Sequence, residues 1–350
     1  MKKERVRYID FIRLFACICI LVVHFNATVS GYDKWQCFYY PNSLVPNSYF
    51  GAYLGDIGVS LFFMISGASL MLSNENTSVK DFYKKRFFNI YPMYWIAFGT
   101  TTLLSFLLCK SFPMSKLYYL LFSILGMDGY LGTLGMPGGS FYQVGEWFLG
   151  CIILLYLTWP LLLAGFKKAP VLTWIITLTI SFCLSRKNNI WFFVRFPEIL
   201  FGMSTVKYRW DKRPIVMLLV ATSGALASYI LYQRGIIWNF LWVSIFCVFL
   251  FTILLNISQL IKNELINSFL VKISGLTYPI FLVHHWIIHN LVTGFDLSAF
   301  PYRYTVVLFI TYVCITLGTA AFLKRTGNSF TKWLKAMMDK PHLTGKSMLV

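Results

Sequence analysis

Ten stretches of this chain are almost unbroken runs of apolar side chains: 9–28, 50–72, 88–109, 145–165, 170–186, 189–205, 214–232, 235–256, 273–294 and 304–323. A run of about 20 such residues is the length of one helix across a bilayer. In hydrocarbon the backbone must satisfy its own hydrogen bonds, so each run is expected to be helical. Composition agrees: 57% of the 350 residues are hydrophobic and only 13% charged, where a soluble domain carries roughly 25% charged residues. The expected fold class is all-α, a polytopic integral membrane bundle of about ten transmembrane helices. Residues 117–126 are apolar but too short to cross, and read as a re-entrant or interfacial piece. Residues 127–144 are polar and glycine-rich, and read as a loop. One transmembrane domain over 1–325 and a basic cytoplasmic tail over 326–350, with an amphipathic stretch around Phe330–Met338, account for the chain. No internal repeat and no inverted pair of broken helices points to the common transporter architectures.

Charge sets the orientation. With the N-terminus inside, 22 Lys and Arg fall in inner segments and 7 in outer ones. That bias places both termini in the cytoplasm. The formal charge of +18 is spent in short clusters between apolar runs. It predicts contact with anionic membrane lipids and leaves no basic face for nucleic acid. The start Lys2-Lys3-Glu4-Arg5-Val6-Arg7 has the form of a signal peptide. No small-residue cleavage site follows its apolar run, so a retained first span is expected. The eight cysteines show no CxxC and no Cys/His metal spacing.

Ionisable side chains inside a membrane are costly unless paired or wet, and each is a candidate for function. The first span holds Asp10, Arg13 and His24. Asp10 and Arg13, three apart, can pair on one face. Arg13 and His24 are eleven apart, about three turns, so they share a face at ~16 Å along the axis. One stripe thus carries an anion-binding group near the inner surface and a titratable base deeper in; the ordinary role of a lone membrane histidine is packing. Small residues from Gly55 to Gly67 allow close helix contact in the second span. Lys84, Lys85 and Arg86, set among aromatics, follow from topology but could also hold a polyphosphate. Glu146 puts a carboxylate at the outer entrance of a span, and Arg195 and Glu198 are spaced as an ion pair. His285 and His289 share a face, as metal ligands can, yet their helix offers no acidic or cysteine partner, and no metal is expected.

Five segments in order carry a resemblance: Arg7-Tyr8-Ile9-Asp10-Phe11-Ile12-Arg13 with His24; Gly58-Val59-Ser60-Leu61-Phe62-Phe63-Met64-Ile65-Ser66-Gly67; the basic stretch from Phe82 to Tyr91-Pro92; Glu146-Trp147-Phe148-Leu149 with Tyr156 and Pro160; and Ser274 to His284-His285. Over about 5–325 the chain resembles the acyltransferase-3 family of membrane acyltransferases, whose members include O-acetyltransferases of cell-surface glycans. The resemblance implies ten spans with both termini inside, a multi-pass protein of the bacterial cell membrane, and a functional Arg13–His24 pair. Family members often carry an appended extracytoplasmic esterase-like domain. None is seen here, so transfer is expected to be completed alone or with a partner.

The expected chemistry moves an acetyl group from cytoplasmic acetyl-CoA, as co-substrate, to a hydroxyl of an extracytoplasmic or lipid-linked glycan. Arg13 and Arg86, with Lys84 and Lys85, are the candidates for the CoA phosphates, since guanidinium suits phosphate through its bidentate fork. His24 is the candidate general base or nucleophile, and Glu146 the residue that orients the acceptor. Acceptor sugar, acyl group, the roles of His284, His285 and His289, and oligomeric state stay open. A transporter or flippase of a lipid-linked sugar and a non-catalytic scaffold are the competing classes. Dependence on acetyl-CoA separates the first of these, and indifference to a change at His24 the second.

Overall fold

The computed structural model describes residues 6–30, 43–109, 116–135, 141, 144–188, 190–292 and 302–339. The glycines expected in the loop at 138–139 and the tail beyond 339 lie outside them. Thirteen helices follow in order among the described residues: α1 Arg7–Ser30, α2 Leu54–Asn74, α3 Val79–Cys109, α4 Tyr119–Ile124, α5 Asp128–Thr133, α6 Glu146–Lys168, α7 Pro170–Leu184, α8 Phe196–Lys207, α9 Pro214–Gln233, α10 Asn239–Leu260, α11 Glu264–Ser274, α12 Thr277–Val292 and α13 Tyr302–Met338. A two-stranded antiparallel hairpin, Ser48–Tyr49 with Ala52–Tyr53, is the sheet among these residues.

Six helices, α1, α2, α6, α9, α10 and α13, are long and apolar enough to cross a membrane. α11 and α12, bent by 58° across a short break, make a seventh if taken as one span. Large apolar side chains stand exposed along α6, α7, α9 and α13, among them Leu161, Val171, Ile175, Leu219, Leu226, Val307 and Phe322. A soluble monomer does not keep apolar surface of that extent in water; here it is the lipid-facing belt of a multi-pass membrane protein.

Four elements differ from the sequence expectation. The run at 189–205 is not one long helix: a 3₁₀ turn at Phe192–Arg195 leads into the 12-residue α8. Pro197 sits in the first helical positions, where its fixed φ and missing N–H are tolerated. α3 starts nine residues before the expected 88, because Ser78 caps it: its Oγ accepts the Asp81 N–H at 3.1 Å and donates to Asp81 Oδ2 at 2.7 Å. α13 runs on from the span expected to end at 323 as far as Met338. The segment expected as loop from 127 contains α5, whose buried Asp128 accepts from Ser123 Oγ of α4 at 2.5 Å.

Two apolar clusters hold the bundle. One joins α1, α2, α3, α6, α8, α12 and α13; the other joins α1, α2, α8 and α10. α2 is buried by both, and α8 packs along it with backbones in contact. The hairpin is clamped over one end of the bundle, where Asn239 Nδ2 donates to Gly51 O at 2.7 Å and Trp242 Nε1 to Phe50 O at 2.9 Å. Buried Asn26 on α1 ties down the chain that leads into the hairpin, donating to Asn47 Oδ1 at 2.8 Å and accepting the Leu44 N–H at 3.0 Å.

Candidate active site

Glu146 is fixed by the way α6 begins. Gly145 precedes it at φ 96°, and a Cβ there would lie 2.7 Å from Leu149 Cδ2. Only glycine suits that left-handed turn. The carboxylate therefore enters the bundle in the first turn of α6, where the helix dipole favours a negative group.

Three imidazoles meet it. His24 Nε2 of α1 lies 3.3 Å from Glu146 Oε2. His284 Nε2 of α12 lies 3.3 Å from Oε1, and His285 Nδ1 3.9 Å from the same oxygen. The His24 ring centroid is 5.0 Å from each of the other two. A carboxylate oxygen only accepts, so the His24 contact needs a proton on Nε2, which leaves Nδ1 as the basic nitrogen of the neutral ring.

His284 is fully buried, and its Nδ1 faces two backbone carbonyls, Phe281 O at 2.9 Å and Ile280 O at 3.2 Å. Carbonyls cannot donate, so Nδ1 carries the hydrogen. His284 Nε2 and Glu146 Oε1 are then two buried atoms facing each other without a hydrogen-bond partner. Such a contact is stable only with a shared proton or a cation between the atoms. One ligand atom each from His24, Glu146 and His284 lies within 4.8 Å of the others, close enough to hold a metal ion. The histidine pair weighed from sequence, His285 and His289, is not this set, because the carboxylate comes from another helix.

The cluster forms part of the wall of a cavity of about 930 Å³. The lining comes from the second half of α1 (Ile20, His24), the hairpin and start of α2 (Ser48, Tyr53, Asp56), the start of α6 (Glu146, Trp147), Arg195 before α8, and Asn239 at the start of α10. Arg195 is buried against Glu198 at 3.3 Å, the pair expected from its spacing.

The expected phosphate-binding residues sit elsewhere and are held by different partners. Arg13 bonds Asp10 at 3.4 Å, Ser274 at 3.3 Å and Ser69 at 3.1 Å. Arg86 is wedged between the Phe82 and Tyr156 rings, with its buried Nε unpartnered. Lys85 donates to Asn74 Oδ1 at 3.2 Å, and Lys84 pairs with Asp339 beyond α13 at 3.5 Å. That last pair is exposed, so Lys84→Ala is expected to change stability by no more than about 1 kcal/mol, as measured by thermal unfolding in detergent. The structure thus brings His24 and Glu146 together but does not gather the four cations into one contact. Sequence reasoning gave no role to His284, Asp56 or Arg195 in this cavity. The run of two histidines in an apolar helix was the available signal for the first.

A helical bundle with a lipid-facing belt and a carboxylate–imidazole cluster on the wall of a cavity defines a multi-pass membrane protein with a candidate acid–base site. The chain belongs to the acyltransferase-3 family: the family model described as an acyltransferase domain matches residues 6–324. A curated relative, the acyltransferase MdmB of Streptomyces mycarofaciens, is 31% identical over 121 residues, 34% of this chain and 31% of the relative. The match thus spans about a third of that relative's length. No solved structure matches.

Proposed function

We propose that this protein is a membrane O-acetyltransferase of the bacterial cell membrane, moving an acetyl group from cytoplasmic acetyl-CoA to a hydroxyl of an extracytoplasmic or lipid-linked glycan. The observation that carries the reading is the His24–Glu146 contact, 3.3 Å long, at the wall of a cavity large enough for a sugar. Ten elements, α1, α2, α3, α6–α10, α12 and α13, then cross the bilayer with both termini inside. The excess of Lys and Arg in the inner segments supports that topology. It sets the hairpin and the cavity toward the outer face and Arg13 toward the inner one.

In this reading His24 takes the proton of the acceptor hydroxyl as its oxygen attacks the thioester carbonyl. The tetrahedral intermediate then expels the CoA thiolate, which collects that proton from the imidazolium. Glu146 holds the ring in one tautomer and stabilises its charged form, as a carboxylate does for a catalytic histidine elsewhere. Arg13 and Arg86, with Lys84 and Lys85, are the groups proposed to meet the CoA phosphates. The pantetheine arm then covers the ~16 Å of helix between Arg13 and His24.

The test uses purified protein in proteoliposomes loaded outside with labelled acetyl-CoA and inside with an acceptor glycan, or the reverse. Stable label on the glycan is the expected result. Movement of a lipid-linked sugar without acetyl-CoA dependence assigns the protein to transport instead.

A further inference from the structure

Among the described residues lining the cavity, the charged ones are Asp56, Glu146 and Arg195. Arg195 offers little to a ligand. Its side chain is 1% exposed, bonded to Glu198 at 3.3 and 3.5 Å. Three rings enclose it, with its guanidinium 4.7 Å from the Phe240 centroid, 5.6 Å from Phe63 and 5.9 Å from Trp147. Its Nε is unpaired but has no exposed surface. Glu198 is held in turn by Ser244 Oγ at 3.2 Å.

Asp56 is the opposite case. It sits in the first turn of α2, half-buried, on the cavity wall. Among the described residues its carboxylate makes no hydrogen bond and no ion pair. Asp56 is therefore an unpaired carboxylate on a wall whose one guanidinium is already committed to Glu198. With Arg195 offset by Glu198, protonation of one imidazole beside Glu146 leaves the charge of Asp56 uncompensated. The aromatic residues Tyr53, Phe62, Trp147 and Phe148 also line it. At about 930 Å³ the cavity lies at the top of the size range of small-molecule sites.

We propose that this cavity is the acceptor subsite and that it selects a neutral or amino-bearing sugar ring against an anionic one, with Asp56 accepting hydrogen bonds from ring hydroxyls or an ammonium. The inference rests on the glycan-acceptor reading above and narrows it: the reacting residue is not a uronic acid or a polyol phosphate. An unpaired carboxylate is a strong acceptor for hydroxyls. The same carboxylate rejects an anion, since like charges brought together at a desolvated contact are costly.

Saturation-transfer NMR on the protein in lipid nanodiscs tests this without acetyl-CoA. The probes are methyl β-glucoside, methyl β-glucosaminide and methyl β-glucuronide. The first two are expected to take up saturation, and the glucuronide to bind at least about tenfold more weakly. Asp56→Asn, which keeps the side-chain volume, is expected to weaken the neutral and amino sugars and to narrow the gap to the glucuronide. Equal or stronger binding of the glucuronide to the wild type, no saturation of any sugar, or an unchanged ranking in Asp56→Asn overturns the proposal. Labelled acetyl transfer measured in the same discs separates the two readings. Transfer without charge preference sinks only the acceptor class, whereas charge-selective binding without transfer sinks only the acetyltransferase assignment.

Discussion

Replacing His24 by alanine is expected to lower acetyl transfer by about 10²–10⁴-fold, the usual contribution of a positioned general base. The imidazole sits 3.3 Å from Glu146 and at the cavity wall, so its loss removes the proton acceptor without cutting a backbone contact. Protein extracted in detergent should keep its elution volume. Glu146→Gln is expected to cost less, because an amide still fills the space and can still meet Nε2 while no longer stabilising the charged ring. The initial rate of label transfer in proteoliposomes measures both. Wild-type rates in His24→Ala would remove the mechanism. A larger loss in Glu146→Gln than in His24→Ala would shift the base to the carboxylate.

The second large effect is on stability. A Cβ on Gly202 of α8 would stand 1.8 Å from Met64 O, and one on Gly67 of α2 would stand 2.1 Å from Ile199 O. Both obstacles are backbone atoms, which cannot swing aside as a side chain can. Membrane helices use small residues to bring their backbones together, with little hydrophobic force to replace that contact. Gly202→Ala must therefore push α8 away from α2 and is expected to destabilise by about 3 kcal/mol or more, at or beyond the usual range for overpacking. Gly224→Ala in α9 is the matched control, since nothing lies within 4 Å of its added methyl. There alanine should be neutral or stabilising by up to about 1 kcal/mol, from helix propensity. Thermal unfolding in detergent compares them, and equal midpoints would contradict the close approach. Because Arg195 immediately precedes α8, the displaced helix should also disturb the cavity wall.

The long spans were legible because an apolar run of about 20 residues has one physical solution. Where α3 and α13 go beyond their runs, the hydropathy signal stops at the basic clusters while the helices do not. Ser78 capping Asp81 was readable as a helix start, but reasoning from the membrane placed the boundary at the charges. α8 is shorter than its apolar run because counting apolar residues does not separate one straight helix from a 3₁₀ turn that leads into a shorter one. At the site, His24 and Glu146 stood out as polar residues in greasy segments. That His284 would aim its free nitrogen at Glu146 was not readable. The two residues are 138 positions apart, and their meeting depends on the rotation of α6 and α12 about their own axes, which side-chain packing decides.

At 37 residues α13 measures ~55 Å, against a hydrocarbon thickness of ~30 Å. Its last turns are braced by the early part of α3, with Lys335 over the Phe88 ring at 5.0 Å and Lys84 reaching Asp339 at 3.5 Å. In the proposed orientation this pair forms a stiff post rising from the inner leaflet into the cytosol. A tag or antibody fragment placed at the top of that post is carried clear of the headgroups, on the side of the bilayer away from the sugar-sized cavity. It offers a handle for immobilisation or electron microscopy remote from that cavity, on the face that carries the cations proposed to meet CoA.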